Sequence, residues 1–254
     1  MTGTTIVVGA SRGLGHGIAV AFAEADASVV ALSRTAAAFH GQTTITPEIA
    51  DAGDAAVAPD ILERYDPKAV ILVAGATPSI RPLQDQTWKT FGVNWETDVR
   101  IAFHWLREAL IRPLRPGSRV VVVSSGAAIA GSPLSGGYAG AKATQRFITG
   151  YAEDESQRAG LEITFTAVLP QITPLTDLGR PAVQAYAARA GQSEEDYMRQ
   201  RGPLLTPEIA GAALVELAQA DAAAVAPAYL LTGAGLQALP DPTPPKTQDE
   251  GERR

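Results

Sequence analysis

The feature that most constrains this chain is a rhythm of short apolar runs. They lie at Thr4–Val8, Ser28–Leu32, Ala69–Val73, Arg119–Ser124 and Glu162–Val168, with stretches between them long enough for crossover helices. Parallel strands cannot be joined by a tight turn, so each needs such a crossover, usually a helix. The runs are nearly continuous in Val, Ile and Leu instead of alternating with polar residues, as expected of strands with helices packed on both faces. The rhythm therefore predicts an α/β fold, a doubly wound parallel sheet flanked by helices on both faces. Helices are predicted at Leu14–Ala25, Ala55–Tyr65, Gln84–Leu110, Gly137–Ala159, Ser193–Arg201 and Pro207–Gln219, the last with Thr206 as N-cap and Pro207 in its first turn. Residues 35–50 include Gly41 and Pro47 and are too few for a full helix plus strand, so the second crossover is expected to be abbreviated.

A length of 254 residues accommodates one large α/β domain, here taken as 1–239, with a proline- and charge-rich tail over 240–254 expected to be disordered. The composition, 46% hydrophobic with a net charge of -6, is that of an ordered globular chain and offers nucleic acid no basic footprint. There is no cysteine, which excludes disulfides, thiolate nucleophiles and Cys-ligated zinc. His16, His40 and His104 have no metal-ligand spacing and no carboxylate cluster, so no metal site is expected. No apolar stretch reaches the ~18 residues of a membrane span, and the N-terminus enters Ile6-Val7-Val8 without a basic leader, which makes the cytoplasm the expected compartment.

Directly after the first run comes Gly9-Ala10-Ser11-Arg12-Gly13-Leu14-Gly15. Glycines between a strand and a helix permit a tight turn, let a pyrophosphate approach the backbone, and leave the helix's first N–H groups free to bind it. A bare glycine triplet is weak, but its position at the first strand of a βαβ pattern makes it a dinucleotide-binding turn. Some 20 residues on, where a carboxylate would accept hydrogen bonds from a ribose 2′-OH, the chain has Ser33-Arg34. Arg34, with Arg12 able to reach the same group, suits a 2′-phosphate, so NADP(H) is expected over NAD(H).

The fourth run ends in Ser124-Ser125, at the carboxyl end of a strand where ligands sit in open α/β sheets. Thirteen residues later stands Tyr138, followed at i+4 by Lys142, so the two share one helix face. A phenol with its ordinary pKa of ~10 is a poor acid–base group at neutral pH. At ~4 Å and an effective dielectric of ~20, an ammonium favours the phenolate by ~4 kcal/mol before desolvation takes some back. Singly, each residue is ordinary: a core-rim tyrosine, a solvated lysine, a strand-end serine.

With its Gly9-x-x-x-Gly13-x-Gly15 turn, Asn94, Ser125 and Tyr138-x-x-x-Lys142, the chain resembles the short-chain dehydrogenase/reductase family from about Thr4 to Leu239, including the late segment Leu231-Thr232-Gly233-Ala234-Gly235. The resemblance implies a Rossmann-like fold and hydride transfer between a nicotinamide and a carbonyl or alcohol. It implies Asn94, Ser125, Tyr138 and Lys142 as catalytic residues, with Asn94 supporting a water relay to Lys142. Cofactor contacts are implied for Gly9, Ser11, Arg12, Gly13, Leu14, Gly15, Ser33, Arg34, Asp51, Ala74, Gly75, Tyr138, Lys142, Pro170, Ile172 and Thr173, Asp51 facing the adenine. Pairing of subunits through the long helices implies a homodimer or homotetramer.

The chain departs from the family's pattern in three places. Leu72-Val73-Ala74-Gly75 replaces Asn-Asn-Ala-Gly, Val8 replaces threonine before the first glycine, and Gln171 replaces glycine after Pro170. Residues 172–205 occupy the family's substrate-loop position and are expected to lid the pocket, with apolar and aromatic groups suited to medium-sized carbonyl substrates. An NADPH-dependent carbonyl reductase is the leading expectation. An epimerase or dehydratase on the same scaffold, or a non-catalytic NADP(H)-binding sensor, is the alternative, and stoichiometric consumption of NADPH separates them.

Overall fold

The computed structural model describes residues 3–240, so all of the expected tail beyond Pro240 lies outside the described residues. In chain order the elements are β1 (Thr4–Val8), α1 (Gly13–Glu24), β2 (Ser28–Ser33), β3 (Ile45–Ile49), α2 (Val57–Tyr65), β4 (Ala69–Leu72), α3 (Trp88–Asn94), α4 (Arg100–Ile111), β5 (Arg119–Val123), α5 (Ala127–Ala130), α6 (Gly136–Ala159), β6 (Thr164–Pro170), α7 (Gly179–Arg189), α8 (Glu194–Arg199), α9 (Pro207–Gln219), β7 (Ala228–Thr232) and β8 (Gly235–Ala238). The strands form one 8-stranded sheet in the order β3-β2-β1-β4-β5-β6-β7-β8. All neighbours are parallel except β7 and β8.

Side chains alternate across each strand, which is why nearly every strand position is apolar. Ile6 and Val8 pack with Trp105 and Ile101 of α4 and Ile61 of α2 on one face, whereas Val7 packs with Phe22 and Ile18 of α1 and Leu214 of α9 on the other. The order reverses at β1, which pairs with β2 on one side and β4 on the other. A cleft opens past the carboxyl ends of strands at such a switch point.

Several expectations need adjustment. The single helix expected over Gln84–Leu110 is broken. Leu83–Asp85 forms one 3-10 turn, and Thr87 then caps α3 by accepting from the Thr90 N–H at 3.2 Å. A π-helical segment, Trp95–Val99, joins α3 to α4. The second crossover is abbreviated, with no helix between β2 and β3; β3 carries Pro47 and lies at the sheet edge, where a missing N–H costs least. The strand expected from Glu162 starts at Thr164, because Glu162 has a left-handed φ of 56°. The helix expected over Ser193–Arg201 is only Glu194–Arg199, since Ser193 is its cap. α9 has the bounds expected, with the Thr206 hydroxyl accepting from the Ile209 N–H at 3.2 Å.

Candidate active site

The cleft at the switch point has a volume of about 1370 Å³ and gathers the ends of β1, β2, β4, β5 and β6 with the face of α6 and the segment after β6. Its floor is the glycine turn. Gly9 has φ +95°, and a Cβ there would lie 2.6 Å from the Ala74 nitrogen; a Cβ on Gly15 would lie 2.1 Å from the Gly9 carbonyl oxygen. Only glycine permits this backbone approach. Among the described residues the α1 N-terminus has neither a side-chain cap from Arg12 nor an acidic residue in its first turn, and Gly13, Leu14 and Gly15 of that turn, where a helix leaves N–H groups without intrahelical partners, line the cleft. That arrangement attracts an anion.

Along the rim from β2, the Ser33 hydroxyl donates to the Thr35 carbonyl at 2.7 Å, and Arg34 is exposed with no ion pair among the described residues. Arg12 reaches across the turn to Asp177 at 3.5 Å, both side chains being largely open to solvent. Asp51 lines the cleft and accepts from the Gly53 N–H at 2.9 Å. Ser11, Gly13, Leu14, Ala74, Gly75, Pro170, Ile172 and Thr173 line it as well.

At the deep end, Ser125, Tyr138 and Lys142 come together. The Ser124 hydroxyl donates to the Lys142 carbonyl at 2.7 Å and pins α6 against the end of β5. Ser125 and Tyr138 are half-buried on the cleft wall, and the Lys142 Nζ lies 5.5 Å from the centre of the Tyr138 ring. The Tyr138 hydroxyl has no hydrogen bond to another described residue and is open to the cleft. Lys142 is buried, with Nζ 2.9 Å from Gln145 Oε1, 3.2 Å from Asp98 Oδ2 and 3.4 Å from the Val123 carbonyl oxygen.

Asn94 does not line the cleft. It is buried, and its Nδ2 donates to the Ala76 carbonyl at 2.8 Å and to Asp98 Oδ1 at 3.3 Å, one residue behind the lysine. Asp98 is the group that the reading of the sequence missed. Its signal was there: Asp98, Ile101, Ala102 and Trp105 share one buried helical stripe, so a carboxylate stands where the pattern calls for an apolar side chain.

The outer wall comes from the segment 172–205, whose two ends are fastened. Gln171 Nε2 donates to the Pro203 carbonyl at 2.8 Å and the Thr173 hydroxyl donates to the Leu205 carbonyl at 2.7 Å. Between them, α7 and α8 present Tyr186 and Tyr197 to the cleft, stacked with centroids 6.4 Å apart. The Tyr186 hydroxyl is hydrogen-bonded to the Ser132 hydroxyl and accepts from the Leu134 N–H at 3.1 Å. Burial pushes the Tyr197 phenol up, against the pull of Arg201, whose guanidinium lies 3.5 Å from the ring centre. The Tyr197 phenol is therefore neutral at neutral pH.

Comparison with known proteins follows the same lines. The family model for short chain dehydrogenases matches residues 3–187. A hydroxynaphthalene reductase-like protein Arp2 from Metarhizium majus (strain ARSEF 297) is 30% identical over 182 residues, 65% of this chain and 66% of that one, so the chain spans just under two thirds of the relative's length. Among solved structures, a short chain dehydrogenase from Mycobacterium avium superposes with a TM-score of 0.73 at 19% identity, covering 99% of this chain and 89% of that one. A structure of ElxO with NADP bound gives 0.73 at 19% identity over 91% and 96%. At these identities the structural likeness establishes the fold.

Proposed function

Because the chain belongs to the short chain dehydrogenase family, we propose that it is an NADPH-dependent carbonyl reductase acting on a medium-sized aromatic or apolar ketone, with Tyr138 as proton donor. The observation that carries this reading is the convergence of Ser125, Tyr138 and Lys142 at the deep end of a cleft whose floor is the glycine turn. The floor fits a dinucleotide: side chains at Gly9 and Gly15 would fill it, and the uncapped α1 N-terminus suits a pyrophosphate. Arg34 and Arg12, with no carboxylate at the Ser33-Arg34 position, favour the 2′-phosphate of NADP(H), and the NADP-bound ElxO structure supports the same cofactor.

When bound, NADPH supplies the hydride. The Ser125 hydroxyl donates a hydrogen bond to the substrate carbonyl oxygen and aligns it. Tyr138 gives that oxygen its phenolic proton as the carbon is reduced, and the Lys142 ammonium stabilises the phenolate left behind. Lys142 would also hold the nicotinamide ribose of a bound cofactor, while Asn94 keeps the carboxylate of Asp98 and the Ala76 carbonyl in place. The half-buried Tyr186 ring lines the cleft, backed by the buried Tyr197, and suits an aromatic substrate of the kind named by the hydroxynaphthalene reductase-like relative.

We assign the protein to the cytoplasm; no helix among the described residues is long and apolar enough to cross a membrane. A homodimer or homotetramer is supported by Trp88, Phe103, Phe147 and Tyr151, large side chains of α3, α4 and α6 left exposed. Light scattering at micromolar concentration is expected to give a multiple of the 26.4 kDa chain mass. To test the activity, loss of NADPH absorbance is followed with aromatic ketones, aliphatic ketones and diketones, and again with NADH. Turnover with NADPH and an aromatic ketone supports the reading. Substrate conversion without net NADPH loss would instead indicate an epimerase or dehydratase.

A further inference from the structure

Asp98 is wholly buried, and its two carboxylate oxygens are used differently. Oδ1 accepts from the Ala76 N–H at 2.8 Å and from Asn94 Nδ2 at 3.3 Å. Oδ2 has no hydrogen bond among the described residues and faces the Lys142 ammonium at 3.2 Å, the two side chains being 0% and 5% exposed. The same oxygen lies against Gly75, where a Cβ would come within 2.7 Å of it. A carboxylate without water must find a cation or lose its charge, and Lys142 is the cation within reach.

These contacts run through the place where the chain departs from its family. The polar pair expected at Leu72-Val73 is absent, yet the backbone just beyond it is held at the Ala76 N–H by a carboxylate on the π-helical segment, which also lies against Gly75. An inserted π turn re-aims side chains along a helix and recurs at functional sites. Here Asp98 ties three things together: the backbone after β4 at Ala76, the side chain of Asn94, and the Lys142 ammonium on α6.

We infer that Asp98 is a positioning residue that anchors the Lys142 ammonium and sets how much of its charge reaches Tyr138. The inference rests on the reductase reading for its catalytic consequence, and on geometry alone for the anchoring. Groups around the ammonium are Asp98 from the π-helical segment, Gln145 and Tyr138 from α6, and the Val123 carbonyl from β5. Among these side chains Asp98 is the only anion besides a phenolate at Tyr138, so the lysine divides its field between them. Replacing Asp98 by the isosteric, uncharged Asn leaves that field to Tyr138.

The test uses Asp98→Asn, Lys142→Met and the double variant. Phenolate absorbance is titrated for the wild type and for Asp98→Asn, each as a difference against its own Tyr138→Phe version, which needs no substrate. The Tyr138 phenolate is expected to form at lower pH in Asp98→Asn, by about one pH unit. The alkaline fall of ketone reduction should move by the same amount. In melting experiments the double variant is expected to lose less stability than the two single losses added together, because it leaves no buried charge unpaired. Superimposable titrations and additive losses would overturn the inference, whatever the substrate proves to be. If Asp98→Asn alone does not fold, recovery of folding in the double variant supports the pair, and failure of both overturns it.

Discussion

Two ion pairs hold opposite ends of one cleft, and they differ in kind. Lys142–Asp98 is sealed, with 5% and 0% of the side chains exposed, whereas Arg12–Asp177 is open, with 69% and 71% exposed. Sealed charges are expensive to desolvate and costly to separate; open ones are screened and contribute little. The difference suits the two tasks proposed for the ends. At the deep end a proton and a hydride must arrive at fixed positions, so a rigid network is an advantage. At the rim, an arginine lightly held by a carboxylate can turn to a phosphate at little cost.

The largest effect expected from breaking this contrast is at the sealed end. Lys142→Met should cost ~3–5 kcal/mol in denaturant unfolding, because it strands the Asp98 carboxylate, and ketone reduction should fall below detection. Gly15→Ala comes next. A Cβ 2.1 Å from the Gly9 carbonyl oxygen forces the turn open. The variant should lose ~1–3 kcal/mol, and calorimetric titration should find no NADPH binding.

At the open end the effects shrink and become selective. Arg34→Ala should weaken NADPH binding about 10- to 100-fold, or ~1.4–2.7 kcal/mol, and leave NADH binding unchanged; equal losses for both would remove the 2′-phosphate assignment. Asp177→Ala should move stability by less than ~1 kcal/mol, and freeing Arg12 should hold or improve NADPH affinity. The smallest effect lies outside the cleft, at the start of α9. The Thr206 hydroxyl and a backbone N–H hold the Glu208 carboxyl below the usual range. Its stabilisation is present above the ordinary carboxylate value and lost as pH falls through the lower folded one. Melting scans of Glu208→Gln should therefore converge with the wild type in acid and fall slightly below it near neutrality.

How legible each part was follows from how local its cause is. The β1 and β5 runs and α9 could be placed because apolar continuity and a Thr-Pro start are written in adjacent residues. Tyr138 and Lys142 could be paired because an i, i+4 spacing fixes them locally and Ser125 could be placed at a strand end, whereas joining Ser125 to that pair came from the family resemblance, since α6 meets the end of β5 only in the fold. β3 could not be read, since a strand bearing Pro47 is tolerated only because it lies at the sheet edge, a fact of topology. α7, with Gly179 and Pro181 in its first turn, was hidden inside the segment read as a loop. Asp98 was missed for a similar reason. Its stripe position marked it as buried, but only the meeting of the π-helical segment with α6 supplies the lysine that makes burial tolerable.

The central claim is that hydride passes within this cleft to a carbonyl carbon while Tyr138 supplies the proton. Its most direct test is NADPH carrying deuterium at the transferable position of its nicotinamide, incubated with the responding ketone and either the wild type or Tyr138→Phe. The account predicts one deuterium on the carbinol carbon of the wild-type product, and no product from Tyr138→Phe although it binds NADPH. Product without deuterium, or full turnover by Tyr138→Phe, would contradict it.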